Sequence, residues 1–295
     1  MEIVFSVIIP FKGSCSLLRR LLDTIPDSPE IEVLVVDNND EYVAPGLNLN
    51  RSNVKMFYLE NARGPGHARN FAIERAIGKW LLFADADDFY NPGAFDVFRY
   101  YMEADAECIY FCANSCHSKT QKAATRGRTV SSLVHGYLKT GRSEMLKSNY
   151  YVAWARMIKS SLVKTHDIQF AEIIGGDDVE FSVKTGYLAN KIIADESVVY
   201  CVTEGDSHIT SIRTIEYLKS LYLTHIRINQ FLCEHGESKH QTLLVFFFLK
   251  SLRYGCKNPF LFYKLAKEQG VSIFAGWEQI PERILNYFYK FVRIK

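Results

Sequence analysis

Long apolar runs are missing from this chain of 295 residues. The longest one beyond the N-terminal region, Leu243 to Leu249, is far short of the ~20 residues a bilayer-spanning helix needs. The start, MEIVFSVIIPFKG, has no basic n-region, and its apolar run stops at Pro10, so no secretory leader is expected. Cysteine is scarce and odd in number, at seven, which excludes a fully paired disulfide framework and fits a reducing compartment. These absences together point to the cytoplasm. Internal repeats and low-complexity tracts are missing too. Cys108, Cys112 and Cys116 are spaced by four, with His117 next, but that is no zinc spacing, and no second CxxC or HxxxH accompanies it. They are read as small buried hydrophobes.

Net charge is also small, at +2, but it is unevenly spread. From Arg213 to Lys295 there are 13 Lys+Arg and 6 Asp+Glu, a net of +7, which leaves residues 1–212 at −5. The basic stretch holds 16 of the aromatic residues. Its segments TLLVFFFLKSLRYG, PFLFYKLAKEQG and ILNYFYKFVRIK mix aromatics with Lys and Arg, a pattern that suits an anionic membrane interface. The alternative is a helical subdomain packed on its own core with its basic residues solvated. No nucleic-acid motif is present, and the acidic first 212 residues disfavour that partner.

What is there begins with a buried-strand signal, IVFSVIIP, followed by SLLRRLLDTI with helical periodicity. IEVLVVD and VKMFYL read as two further strands. PGHARNFAIERAIG reads as a helix with Pro65 near its start and Gly78 past its end. KWLLFADADD is a fourth strand, followed by a helix over 92–102 and the strand ECIYFCA. Alternating strands and helices over the first 113 residues predict a doubly wound, mostly parallel α/β sheet. The stretch 119–129 is polar and reads as a loop or hairpin excursion; YYVAWARMI reads as a strand, DDVEFSVKTGYL as a helix entered through Gly175 and Gly176, and KIIADESVVYCV as a strand. Beyond a boundary near residue 212 four helices are expected, over 215–233, 241–254, 259–269 and 281–292.

The chemistry gathers at strand ends. Asp37 ends VLVVDNND, and Asp85, Asp87 and Asp88 end the fourth strand, where parallel sheets bind ligands. Clustered carboxylates repel one another, and hard oxygen donors suit Mn²⁺ or Mg²⁺ completed by water and phosphate. RGPGHARN supplies glycines for close backbone approach and Arg69 for a phosphate or base contact. His67 and Arg63 flank it and read as loop residues, while Asn38, Asn39 and Asp40 fit a turn.

At this point the sequence resembles family 2 glycosyltransferases with the GT-A fold, of the bacterial polysaccharide and lipooligosaccharide type. The resemblance rests on SVIIP followed by an aromatic, on VVD at Asp37, on the G…ARN helix start from Gly64 to Asn70, and on DADD with Pro92 after it. WARMIKSSLVKTHDIQFAEIIGGDDVEF is similar to the family's second signature. It implies a Rossmann-like GT-A domain over 1–212, with a nucleotide-sugar half to about 113 and an acceptor half after it, and a helical extension over 213–295. It implies a nucleotide-diphosphate sugar, UDP-linked by default, held by Pro10, Phe11, Lys12, Asp37, Asn39, Gly64, Arg69, Asp85 and Ala86. Asp87 and Asp85 would hold the metal. Asp178 would be the general base of an inverting transfer to a glycan or lipid-linked acceptor, with Asp177 standing where the family usually has Glu. Three positions keep two readings. Lys12 is a diphosphate contact or a solvated loop lysine, His208 a further metal or phosphate ligand or an exposed turn residue, and Trp154 an acceptor platform or core. Cell-surface polysaccharide synthesis at the inner face of the plasma membrane follows from the resemblance, as do two rivals: a degenerate, non-catalytic GT-A binding module and a sugar-nucleotide nucleotidyltransferase. The single glycine of PFKGSCS counts against the latter, and the complete set of carboxylates against the former.

Overall fold

Phe5–Phe11 forms β1, with every side chain buried, as a strand covered on both faces requires. The computed structural model describes residues 2–39, 51–173, 175–205 and 214–276. It divides into two compact units, Met1–Ile209 and Thr210–Lys295. In the first, β1 is flanked in parallel by β2 (Ile31–Asp37) and β4 (Trp80–Phe83), and β3 (Val54–Tyr58) lies outside β2. Helices α1 (Cys15–Asp23) and α2 (Pro65–Arg75) make the crossovers. Their apolar residues, including Leu18, Leu21, Ala68 and Ala72, join the sheet in one core.

The other half is mixed. β5 (Phe89–Tyr90), α3 (Ala94–Tyr100) and β6 (Cys108–His117) lead to α4 (Gly127–Thr140) and α5 (Glu144–Asn149). β7 (Arg156–Lys159), α6 (Ser160–Thr165), α7 (Asp177–Leu188) and β8 (Ile192–Glu204) follow. The sheet order is β3-β2-β1-β4-β7-β6-β8-β5. β7 is antiparallel to both β4 and β6, and β5 is antiparallel to β8, whereas β6 and β8 run parallel. The parallel character therefore holds over β3-β2-β1-β4 and breaks where β7 enters.

Two local expectations fail for identifiable reasons. The polar stretch after β6 makes a hairpin bridge, Cys116 to Ala123, but then enters α4. A Cβ on Gly127 would sit 2.7 Å from the carbonyl oxygens of Ala113 and Asn114, so only glycine lets a helix start against β6. The strand expected from Tyr150 shortens to β7 because Ala155 has φ +53°, which ends the extended run.

The second unit holds α8 (Ile215–Glu234), α9 (Val245–Ser251) and α10 (Asn258–Glu268) around Leu218, Tyr222, Ile226, Phe247 and Phe262. The helix expected from Gln241 begins late. Buried Asn229 grips Thr242 through its carbonyl at 2.8 Å and its N–H at 2.7 Å, and so holds that segment out of the helix. The helix expected over 281–292 lies outside the described residues.

Candidate active site

The carboxyl ends of β1, β2 and β4 meet at one edge. Phe11 pairs with Asp37, and Ile8 pairs with Phe83 two residues before Asp85. Asp37 is fully buried; its Oδ1 accepts the backbone N–H of Asn39 at 3.0 Å and the side-chain amide at 2.7 Å. Asn39 Oδ1 in turn accepts the N–H of Gly13 at 2.9 Å, which ties the loop after β1 to the end of β2. Pro10 and Phe11 are buried within β1, and Lys12 stands exposed just beyond it.

The DADD turn sorts its three carboxylates. The Asp88 N–H donates to the Asp85 carbonyl at 3.0 Å and closes the turn. The Asp88 side chain is only 3% exposed. It accepts the Tyr200 hydroxyl at 3.0 Å and the Thr203 N–H at 2.7 Å. The same Tyr200 oxygen accepts the Asp85 N–H at 2.9 Å. Burial, then the charges of Asp85 and Asp87, push the Asp88 carboxyl well above its ordinary range. On the other side the Arg20 guanidinium donates to the Asp87 carbonyl and, at 3.0 Å, to Thr203 Oγ1, while lying 5.1 Å from the Phe89 ring centre. Asp88 is thus a strut between the turn and β8. Asp85, Ala86 and Asp87 remain half-buried.

Trp154, offered as an acceptor platform, is 3% exposed and stacks on Tyr200 at 5.3 Å and 11°. It buttresses the tyrosine that holds the turn.

Arg69 connects this turn to α7. It is buried in α2, with Nη2 2.5 Å from Asp85 and Nη1 2.5 Å from Asp177, and lies 5.2 Å from the Phe170 ring centre. Burial by itself lowers its pKa, but the carboxylates of Asp177, Asp85 and Asp178 outweigh that and raise it. Its two terminal nitrogens meet these carboxylates, while its buried Nε has no hydrogen-bond partner among the described residues. Asp177 and Asp178 open α7 after Gly175 and Gly176, with φ +77° and +75°, a pair of left-handed residues that turns the chain sharply. Gly64, with φ +106°, caps α2. A Cβ on Gly66 would come 2.2 Å from the Ala171 carbonyl oxygen and 3.3 Å from the Asp177 Cβ. Asn70 exchanges two hydrogen bonds with Phe170, at 2.8 and 3.0 Å. Phe170 stacks on Phe181 of α7 at 3.9 Å, and both rings meet Phe83 of β4 edge-on.

Burial, then the neighbouring charge of Asp177, pushes the Asp178 carboxyl up to about 7, against the pull of Arg69. Burial raises Asp177 too, although Arg69 opposes it.

Among the described residues no group of three or more His, Cys, Asp or Glu is gathered as a metal cage. Asp85 and Asp87 nevertheless offer hard, half-exposed oxygens from one turn. Such a pair fits Mn²⁺ or Mg²⁺ whose other ligands are water and a diphosphate. His208 lies outside the described residues.

The sequence reading missed Tyr200, Thr203 and Arg20. Tyr200 and Thr203 look like ordinary strand residues in SVVYCVT until the β8 register is known. Arg20 carried a faint signal, as a charge inside the apolar run of α1.

The comparisons fit this geometry. The description "Glycosyl transferase family 2" matches residues 6–166, more than half of the chain. The chain therefore belongs to glycosyl transferase family 2. It is 27% identical over 222 residues to the poly(ribitol-phosphate) beta-N-acetylglucosaminyltransferase TarS of Staphylococcus aureus strain Mu50, covering 70% of this chain and 37% of that protein. It is 29% identical over 89 residues to the succinoglycan biosynthesis protein ExoO of Rhizobium meliloti, covering 29% of this chain and 26% of that one. The chain thus spans little more than a third of the length of the TarS proteins it matches. Among solved structures, S. aureus TarS 1-349 in complex with UDP-GlcNAc superposes with TM-score 0.61 at 21% identity, over 81% of this chain and 70% of that one. That likeness shows the GT-A architecture.

Proposed function

We propose that this chain transfers a sugar from a nucleoside diphosphate sugar to a hydroxyl of a glycan or lipid-linked acceptor in cell-surface polysaccharide synthesis, in a single inverting displacement. UDP-N-acetylglucosamine is the first donor to try, on the likeness to TarS. One observation carries the reading: buried Arg69 joins Asp85 of the DADD turn to Asp177 at the start of α7. A donor-side carboxylate is thereby tied to the start of α7, where Asp178 is the next residue. The odd number of cysteines in the sequence supports a cytoplasmic place of action.

Each side chain has a task. Asp37, at the end of β2, faces the uracil. Asp85 and Asp87 would hold Mn²⁺ or Mg²⁺, which would supply Lewis-acid stabilisation of the leaving diphosphate. Asp178 accepts the proton of the acceptor hydroxyl as that oxygen attacks the anomeric carbon from the face opposite the leaving group. Its pKa near 7 makes it an effective base at neutral pH, and such a base contributes roughly 10²- to 10⁴-fold. Arg69 engages the Asp177 carboxylate and fixes the α7 start, which leaves the base role to Asp178.

Calorimetric titration with UDP, GDP, dTDP and CDP, each with and without Mn²⁺, tests the donor half. Binding of UDP alone, dependent on Mn²⁺, is the expected result. A folded protein that binds none of the four contradicts the proposal.

A further inference from the structure

Of the large apolar side chains exposed among the described residues, half lie between Leu249 and Phe274. The same stretch carries five Lys or Arg and one acidic residue, Glu268. Its geometry is ordered. α10 buries Pro259, Phe262 and Ala266, the last two in the core of the second unit. Its opposite face presents Phe260, Tyr263, Lys264 and Lys267, at i, i+3, i+4 and i+7, so they form one stripe. Phe260 is 72% exposed and Tyr263 45%. Leu249, on α9, and Leu252, just after it, are each 51% exposed. α10 therefore has two apolar faces, one satisfied by its own unit and one turned outward. Glu268 pairs with Lys264 at 3.6 Å on the exposed surface, a contact too weak to neutralise the stripe.

We propose that the outward face of α9 and α10 docks on an anionic lipid bilayer, with Phe260 and Tyr263 entering the headgroup layer and Lys264 and Lys267 meeting lipid phosphates. The charge selects this occupant. A second copy of the chain on a two-fold axis would set like basic faces together, which repel. A neutral apolar groove on another protein would leave both lysines without counter-charges. An anionic interface accommodates aromatic rings and lysine ammonium groups side by side, because the long lysine stems reach back to the phosphates. No described helix is long and apolar enough to cross a membrane, so the contact is peripheral. The inference stands on the second unit alone and does not depend on the transferase reading.

Co-sedimentation of the full chain with phosphatidylcholine vesicles, and with vesicles that also contain phosphatidylglycerol, tests it. The wild type should pellet with the phosphatidylglycerol vesicles and release as salt is raised. Lys264→Glu with Lys267→Glu should lower that partition about tenfold or more. Phe260→Ser with Tyr263→Ser should lower it about tenfold, with an unfolding temperature like that of the wild type. All four positions are on the outward face, so both double variants should fold. The proposal falls if the wild type ignores both vesicles, if it binds both equally, or if the folded variants bind as the wild type does. It also falls if the wild type runs as a dimer that Phe260→Ser with Tyr263→Ser makes monomeric, because the face then belongs to a second copy.

Discussion

Two adjacent aspartates at the start of α7 have different fates, and the difference is one guanidinium. Asp177 is 6% exposed and bonded to Arg69, whereas Asp178 has Asp177 as its close charge and is pushed up to about 7. A base with that pKa is ionised only above it. Transfer should therefore rise with pH through about 7 and level off beyond, which a kcat/KM profile reads directly. Asp178→Asn should cut kcat by ~10²-fold or more and leave UDP affinity unchanged. Unaltered kcat in that variant would move the base role to Asp177.

At the scale of elements, β8 does most to shape the DADD turn. It contributes Tyr200 and Thr203, which bind Asp88, and Tyr200 also takes the Asp85 N–H. Tyr200→Phe removes the hydroxyl that both groups share and leaves part of a buried carboxylate without its partner. The expected loss is about 1–3 kcal/mol of stability by denaturant unfolding. The turn loosens with it, so apparent Mn²⁺ affinity should fall while kcat at saturating metal stays near the wild-type value. A purely structural role would lower stability and leave the metal titration unmoved.

For the whole molecule, the site works against the fold. The folded-state pKa of Asp178 lies above its unfolded value, so the folded state binds the extra proton. The stability linked to that proton is complete below about pH 4 and is lost as pH rises through about 7. Asp178→Asn abolishes that loss. At pH 8 the variant should be more stable than the wild type by roughly a few kcal/mol and unfold at a higher temperature, with the difference vanishing at pH 4. Equal melting curves at both pH values would show that the carboxyl is not strained in the fold.

Much of this protein was legible in its sequence. Short apolar runs rich in β-branched residues, such as FSVIIPF and IEVLVVD, read as strands buried on both faces and are so, and the helix from Asp177 to Leu188 begins where its glycine pair leaves off. The carboxylates at Asp37 and Asp85 stood out because they follow such runs, and Asp178 because it follows a glycine pair in a stretch similar to the family's second signature. Their division of labour was not visible. Asp85, Asp87 and Asp88 are the same residue type within four positions, and only the pairing of β8 with its neighbours turns Asp88 inward to Tyr200 while its two companions stay half-buried. Arg69 and Asp177 are 108 residues apart, and nothing local to either announces the other. Periodicity reports which side of an element is apolar, and a strand-end motif reports where charge collects. Which charges are then buried against each other depends on contacts between distant segments, and those exist only once the chain has folded.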